Sequence, residues 1–150
     1  MWPFFSVGCR DPDTMRRMTA SIPTAALDAL GRAARAASGL EVLLLFGSRA
    51  RADAHAHSDW DLGYLASHGF DVAAFLGAIV EAVGSDRVDV VDLRRASGLL
   101  RYHAARDGCV VYEARQRLAE QFCLDAADFW CDAAPVLQRG YEEVLAELPR

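Results

Sequence analysis

The apolar positions change period several times along the chain, and each change marks an element. In "SIPTAALDALGRAARAASG" (21 to 39) Leu27, Leu30 and Ala34 recur at helical spacing, Pro23 suits a first turn and Gly39 supplies a stop, so a helix is expected. "LEVLLLF" (40 to 46) is apolar almost throughout and too short for an independent helix, which reads as a central strand covered on both sides. After a polar stretch, "WDLGYLA" (60 to 66) is a second strand. "DVAAFLGAIVEAVG" then gives the cleanest amphipathic helix, with Asp71 as cap, apolar residues at 72, 75, 76, 79, 80 and 83, and Gly84 as stop.

"RVDVVDL" (87 to 93) has the β-branched content of a third strand. A short helix from Gly98 to Asp107 closes on Gly108, "CVVYE" is a brief strand, and the remainder to Leu148 is helical with an expected break at Pro135. Its stripes, Leu118, Phe122, Phe129 and Trp130, then Tyr141, Val144, Leu145 and Leu148, read as core, and His103 as a core or interface histidine. There are no internal repeats and no low-complexity linker. The pattern is that of one small α/β domain over 18–150 with a helical C-terminal segment. A disordered tail is expected over 1–17, with Met15 or Met18 as alternative starts.

Composition narrows the chemistry. The formal charge is −5, and all 16 cations are Arg because the chain contains no Lys. A Walker-type phosphate loop, a Schiff-base lysine and a lysine general base are therefore excluded, and any phosphate must be held by Arg forks or backbone N–H groups. An acidic total without a basic block argues against direct nucleic-acid binding. Cys9, Cys109, Cys123 and Cys131 form no C-x-x-C pair and no zinc spacing, so they read as reduced thiols and the chain as cytoplasmic. The N-terminal apolar run lacks the flanks of a signal peptide and the length of a membrane span.

The candidate chemistry lies in "GSRARADAHAHSDWDLGYLA" (47 to 66). In a strand, Asp59 and Asp61 point the same way with Cα atoms roughly 6–7 Å apart, while Trp60 and Leu62 face the other side. Two carboxylates aimed at one point repel unless a cation sits between them, and hard oxygen ligands of this kind suit Mg²⁺ completed by substrate phosphates. A third carboxylate suits such a site, and Asp89 is the candidate, because an Asp flanked by valines in a buried strand is costly without a partner. Asp92, of opposite parity at the strand end, reads as a cap. Gly47 permits a sharp turn after the first strand, and Ser48 begins a short helical turn whose N–H groups and hydroxyl suit a triphosphate. The bland alternative for Asp59 and Asp61 is a solvated acidic face. For His55 and His57 the expected reading is a solvated loop, and for Arg94, Arg95 and Arg101 a solvated face.

Gly47-Ser48, ten intervening residues and Asp59-Trp60-Asp61 resemble the G-S-x₁₀-D-x-D signature of the DNA polymerase beta-like nucleotidyltransferase superfamily. "VDVVDLRRAS" and "LLRYHAARDGCVVYE" extend the similarity to its minimal nucleotidyltransferases (MNT), in particular the MntA-type antitoxins of HEPN/MNT toxin-antitoxin modules, over about residues 24 to 148. The resemblance implies an α/β (α+β) fold with a mixed sheet flanked by helices. It implies Mg²⁺ on Asp59, Asp61 and Asp89, with Asp89 helping to activate an acceptor hydroxyl, and ATP phosphates on Gly47, Ser48 and Arg51. It also implies transfer of AMP from ATP to a tyrosine of a partner HEPN toxin ribonuclease, a hetero-oligomer with that toxin, and no membrane. Two departures stand out: Ala52 occupies the place of a common second glycine, and His55 and His57 enrich the loop. The competing readings are a small-molecule nucleotidyltransferase, which would normally need an extra acceptor-binding domain, and a non-catalytic antitoxin acting by contact.

Overall fold

The computed structural model describes residues 22–51 and 58–147. The tail at 1–17, Cys9, Ala52, His55, His57 and Leu148 lie outside the described residues, as do the side chains of Tyr141, Val144 and Leu145. The elements run α1 (Thr24–Ala36), β1 (Leu40–Phe46), α2 (Gly47–Ala50), β2 (Trp60–Ala66), α3 (Val72–Val83), β3 (Val88–Asp92), α4 (Gly98–Asp107), β4 (Cys109–Glu113) and α5 (Leu118–Glu147). The described strands form one mixed sheet in the order β3-β2-β1-β4. β1 is antiparallel to both β2 and β4, and β2 is parallel to β3. This is the mixed α/β sheet flanked by helices, with a helical C-terminal segment, that the sequence leads one to expect.

β1 is central because its side chains are apolar on both faces. Leu43 and Leu45 turn toward α1 and α3 together with Trp60, Leu62 and Tyr64. Val42, Leu44 and Phe46 turn toward α4 and α5, against Ala104, Ala105, Phe122 and Ala126. Leu43, Leu44 and Leu45 are fully buried, each contributing about 1.5–3 kcal/mol of transfer free energy.

Local signals fix the helix ends. Asp71 accepts a hydrogen bond from the Ala74 N–H at 3.0 Å, and Gly84 ends α3 in the left-handed region at φ 64°. Ser97 caps α4 through the Leu100 N–H. Pro23 stands just before α1, as its cap residue and not inside the first turn.

Three expectations fail. α5 continues through Pro135. A proline removes one N–H donor and crowds one carbonyl, and at this exposed position water can serve the carbonyl that is freed, so the flanking helix-forming residues carry the helix on. Phe129 is exposed, at 53%, because only the first part of α5 lies over the sheet. On α3, Phe75 and Ile79 are buried whereas Val72 and Leu76 are exposed, so its apolar stripe is wider than the core it covers. Trp130 is half-buried and stacks on Tyr102 with ring centroids 5.0 Å apart. His103 is also half-buried. Cys109 and Cys123 are buried, and Cys131 is exposed.

Candidate active site

The carboxylates gather where the helical cover of the sheet stops. Asp61 lies directly between Phe46 of β1 and Asp89 of β3 in the strand register. Cross-strand neighbours share a face, so Asp61 and Asp89 lie on the α4/α5 side, while Trp60 and Leu62 go to the opposite core as strand parity requires. Asp59 immediately precedes β2, whose ladder begins with the Trp60 N–H donating to the Arg87 carbonyl. The arrangement corrects one step of the sequence argument. β3 is an edge strand and Asp89 is exposed, so Asp89 needs no buried partner to be tolerated and is open to a ligand from solvent.

Gly47 has two roles. It adopts φ 72°, a left-handed conformation that follows the end of β1. It also leaves space for the Asp61 carboxylate: a Cβ at residue 47 would stand 2.0 Å from Asp61 Oδ2 and 2.8 Å from Cγ. α2 begins at Gly47, one residue before Ser48, and no side chain caps its start.

Burial raises the Asp61 pKa above its ordinary value, and the negative charges of Asp89 and then Asp59 raise it further; Arg51 and Arg49 pull it down. Asp61 therefore feels both neighbouring carboxylates. Asp59 has a long, exposed contact with Arg87, 4.0 Å between Oδ1 and Nη1, which is worth little. Among the described residues no three His, Cys, Asp or Glu side chains converge closely enough to hold one ion. The donor set still fits a hard divalent cation by its chemistry: Asp61 and Asp89 are cross-strand neighbours, Asp59 lies close enough to act on Asp61, and a cation would relieve the repulsion on Asp61.

The arginines separate. Arg49 Nη2 donates to the Ser58 carbonyl at 2.6 Å and Nε to the Asp59 carbonyl at 3.2 Å, with the guanidinium 4.2 Å from the Trp60 ring centre. Arg51 instead reaches toward α4, with Nη1 4.0 Å from Asp107 Oδ2 and a half-exposed side chain. Two hydrogen bonds from Arg106 hold Asp107, and its carboxyl, below the ordinary value. Asp92 accepts from the Arg94 N–H at 2.9 Å, as a cap should, and Arg94 pairs with Glu41. Arg101 departs from a solvated face, since its Nε is buried without a hydrogen-bond partner and its guanidinium lies over Phe122.

Sequence reasoning missed the grip of Arg49 on the backbone, the contact of Arg51 with Asp107, and the packing of Gly47 on Asp61. The first two have no periodic signal. The third follows from the Phe46 to Asp61 register, which requires the strand pairing to be known.

A mixed sheet of this order, with a glycine turn feeding carboxylates on two adjacent strands, defines a nucleotidyltransferase domain. A family model described as polymerase beta, nucleotidyltransferase, matches residues 31–117, more than half of the chain, and the chain belongs to that family. Among its relatives, the protein adenylyltransferase MntA of Aphanizomenon flos-aquae (strain 2012/KM1/D3) is 37% identical over 87 residues, covering 49% of this chain and 57% of the relative. The match thus spans little more than half of that protein's length.

Solved structures share the fold. A chain of the MntA-HepT toxin-antitoxin crystal structure matches with TM-score 0.63 and 24% identity over 80% of this chain and 97% of its own. A chain of a toxin-antitoxin structure with AMP-PNP matches with TM-score 0.61 and 23% identity over 89% and 97%. One from a tri-AMPylated Shewanella oneidensis HEPN toxin in complex with MNT antitoxin matches with TM-score 0.65 and 23% identity over 83% and 99%.

Proposed function

We propose that the chain is an Mg²⁺-dependent nucleotidyltransferase that transfers AMP from ATP to a tyrosine of a partner HEPN toxin ribonuclease and so acts as its antitoxin in a hetero-oligomer. The observation that carries the reading is the carboxylate triad, Asp59, Asp61 and Asp89, set beside Gly47 in a family fold. The named activity of the cyanobacterial relative and the toxin-antitoxin assemblies of the structural neighbours support the choice of acceptor.

In the reaction the tyrosine oxygen attacks the α-phosphorus of ATP. A new O–P bond forms, the bond from the α-phosphorus to its bridging oxygen breaks, and pyrophosphate leaves with the electron pair. Asp89, exposed at the edge, takes the phenolic proton. Asp59 and Asp61, with Asp89, would hold Mg²⁺, which supplies charge neutralisation at the phosphates. Ser48 and the backbone N–H groups beside Gly47 receive the phosphates, and Arg51 adds a charge that can turn from Asp107 to the nucleotide.

The test is to incubate the purified protein with Mg²⁺, α-labelled ATP and either a co-expressed HEPN-type partner or host lysate, beside the Asp59→Ala/Asp61→Ala variant. Label on a discrete protein band, lost in the variant and mapped to tyrosine, is the expected result. ATP binding without label on any protein overturns the protein-acceptor reading and favours a small-molecule acceptor. Toxin neutralisation that survives in the variant favours action by contact.

A further inference from the structure

We propose that Arg49 is a positioning residue that couples the phosphate half of the site to the carboxylate half, setting divalent-cation affinity without touching substrate or metal. The proposal rests on the nucleotidyltransferase reading above. One side chain grips three consecutive residues: the Ser58 carbonyl through Nη2, the Asp59 carbonyl through Nε, and the Trp60 ring through its guanidinium face. Those residues immediately precede and begin β2, with Asp59 inside the gripped segment and Asp61 one residue beyond it. Arg49 itself sits on α2, one residue after Ser48. This side chain therefore ties the Gly-Ser turn directly to the Asp-x-Asp pair.

The geometry also explains why the residue is Arg. The planar fork places two N–H groups on two successive carbonyls while its face stays on the indole, which a lysine ammonium cannot do. Trp60 is 5% exposed and anchored in the α1/α3 core, so the stack gives Arg49 a rigid platform. Its Nε and Nη2 are already engaged by carbonyls, which makes Arg49 the anchor of this segment. Groups that orient ligating side chains typically change metal affinity or activity 10–100-fold when removed.

The test uses the full chain and Mn²⁺ alone, with free Mn²⁺ read by electron paramagnetic resonance, for wild type and for Arg49→Lys, Arg49→Met and, as a control outside the site, Arg94→Met. Arg49→Met keeps the apolar contact with Trp60 and loses the donors; Arg49→Lys keeps the charge and serves should the Met variant fail to fold. The expected result is Mn²⁺ affinity weakened about 10-fold or more in both Arg49 variants and nearly unchanged in Arg94→Met, whose exposed side chain pairs with Glu41 away from the site. With the labelled acceptor, kcat falls in Arg49→Lys while KM for ATP stays within about threefold, and excess Mg²⁺ restores part of kcat. A folded Arg49→Lys that binds Mn²⁺ like wild type overturns the proposal, as does a defect confined to KM for ATP. A wild type that binds no Mn²⁺ overturns it as well. Mn²⁺ binding without transfer to any acceptor would sink the functional reading alone.

Discussion

Leu44 and Asp61 lie on the same face of one sheet, on adjacent strands, yet their surroundings differ completely. Leu44 is fully buried beneath α4 and α5. Asp61 is half-buried at the end of the same strand pair, beside the exposed Asp89 of the edge strand. The covered half of the face supplies stability and the uncovered half concentrates like charge, which costs stability. A sheet that ran under helices to its edge would bury Asp89 and close the site. On this face the chain instead lays α4 and α5 over β1 and β4 and leaves the carboxylate end reachable.

Truncating the covered half should produce the largest effect. Leu44→Ala removes a fully buried side chain and is expected to cost about 2–5 kcal/mol of unfolding free energy, measured by urea denaturation. The fraction still folded should keep its Mn²⁺ affinity, because Leu44 touches no carboxylate. A large loss of Mn²⁺ binding in folded Leu44→Ala would show that the two halves are not separable.

Gly47 stands at the boundary, and Gly47→Ala should damage both halves less severely in stability but more in function. An alanine there must hold a left-handed φ and place its Cβ on the Asp61 carboxylate, a backbone strain of about 1–2 kcal/mol with displacement of Asp61. Nucleotide transfer is expected to fall about 100-fold, with a stability loss smaller than that of Leu44→Ala. Transfer at the wild-type rate would remove the packing argument for Gly47.

What was legible in the sequence follows the same division. The strands and most helix ends are local signals: the Leu run of β1, the Asp71 cap, the Gly84 stop. The parity of Asp59 and Asp61 against Trp60 and Leu62 is equally local, and the structure keeps it. The rank of β3 in the sheet is not local. Five residues of valine and aspartate look the same at an edge as at a centre, so the exposure of Asp89 could not be read. By position Arg49 and Arg51 are alike, both near Ser48, and only the family resemblance favours Arg51; the grip of Arg49 on Ser58 becomes visible only in the structure. Phe129 continues a helical stripe that the pattern assigns to core, but pattern cannot say where the sheet beneath ends.

The smallest expected effect isolates the charge cost of the uncovered half. Asp61 has a folded pKa above its ordinary value, by burial first and by Asp89 and Asp59 next. The folded state therefore holds that proton more tightly than the unfolded chain, whose Asp titrates near about 3.9. The favourable contribution is present below the unfolded pKa and is lost as pH rises through the folded one. Asp61→Asn removes that loss, so without divalent cation the variant should be more stable than wild type at neutral pH. Because Asp61 is largely solvent-screened, the gain should be at most about 1 kcal/mol, roughly 2–4 °C in Tm, shrinking toward zero below about pH 3.5 as the carboxyl becomes protonated in both states. Added Mn²⁺ should reverse the order by stabilising wild type more than Asp61→Asn. A variant less stable than wild type at neutral pH without metal would mean that Asp61 is held by interactions stronger than the repulsion, and that the two halves of the face do not differ in the way their burial implies.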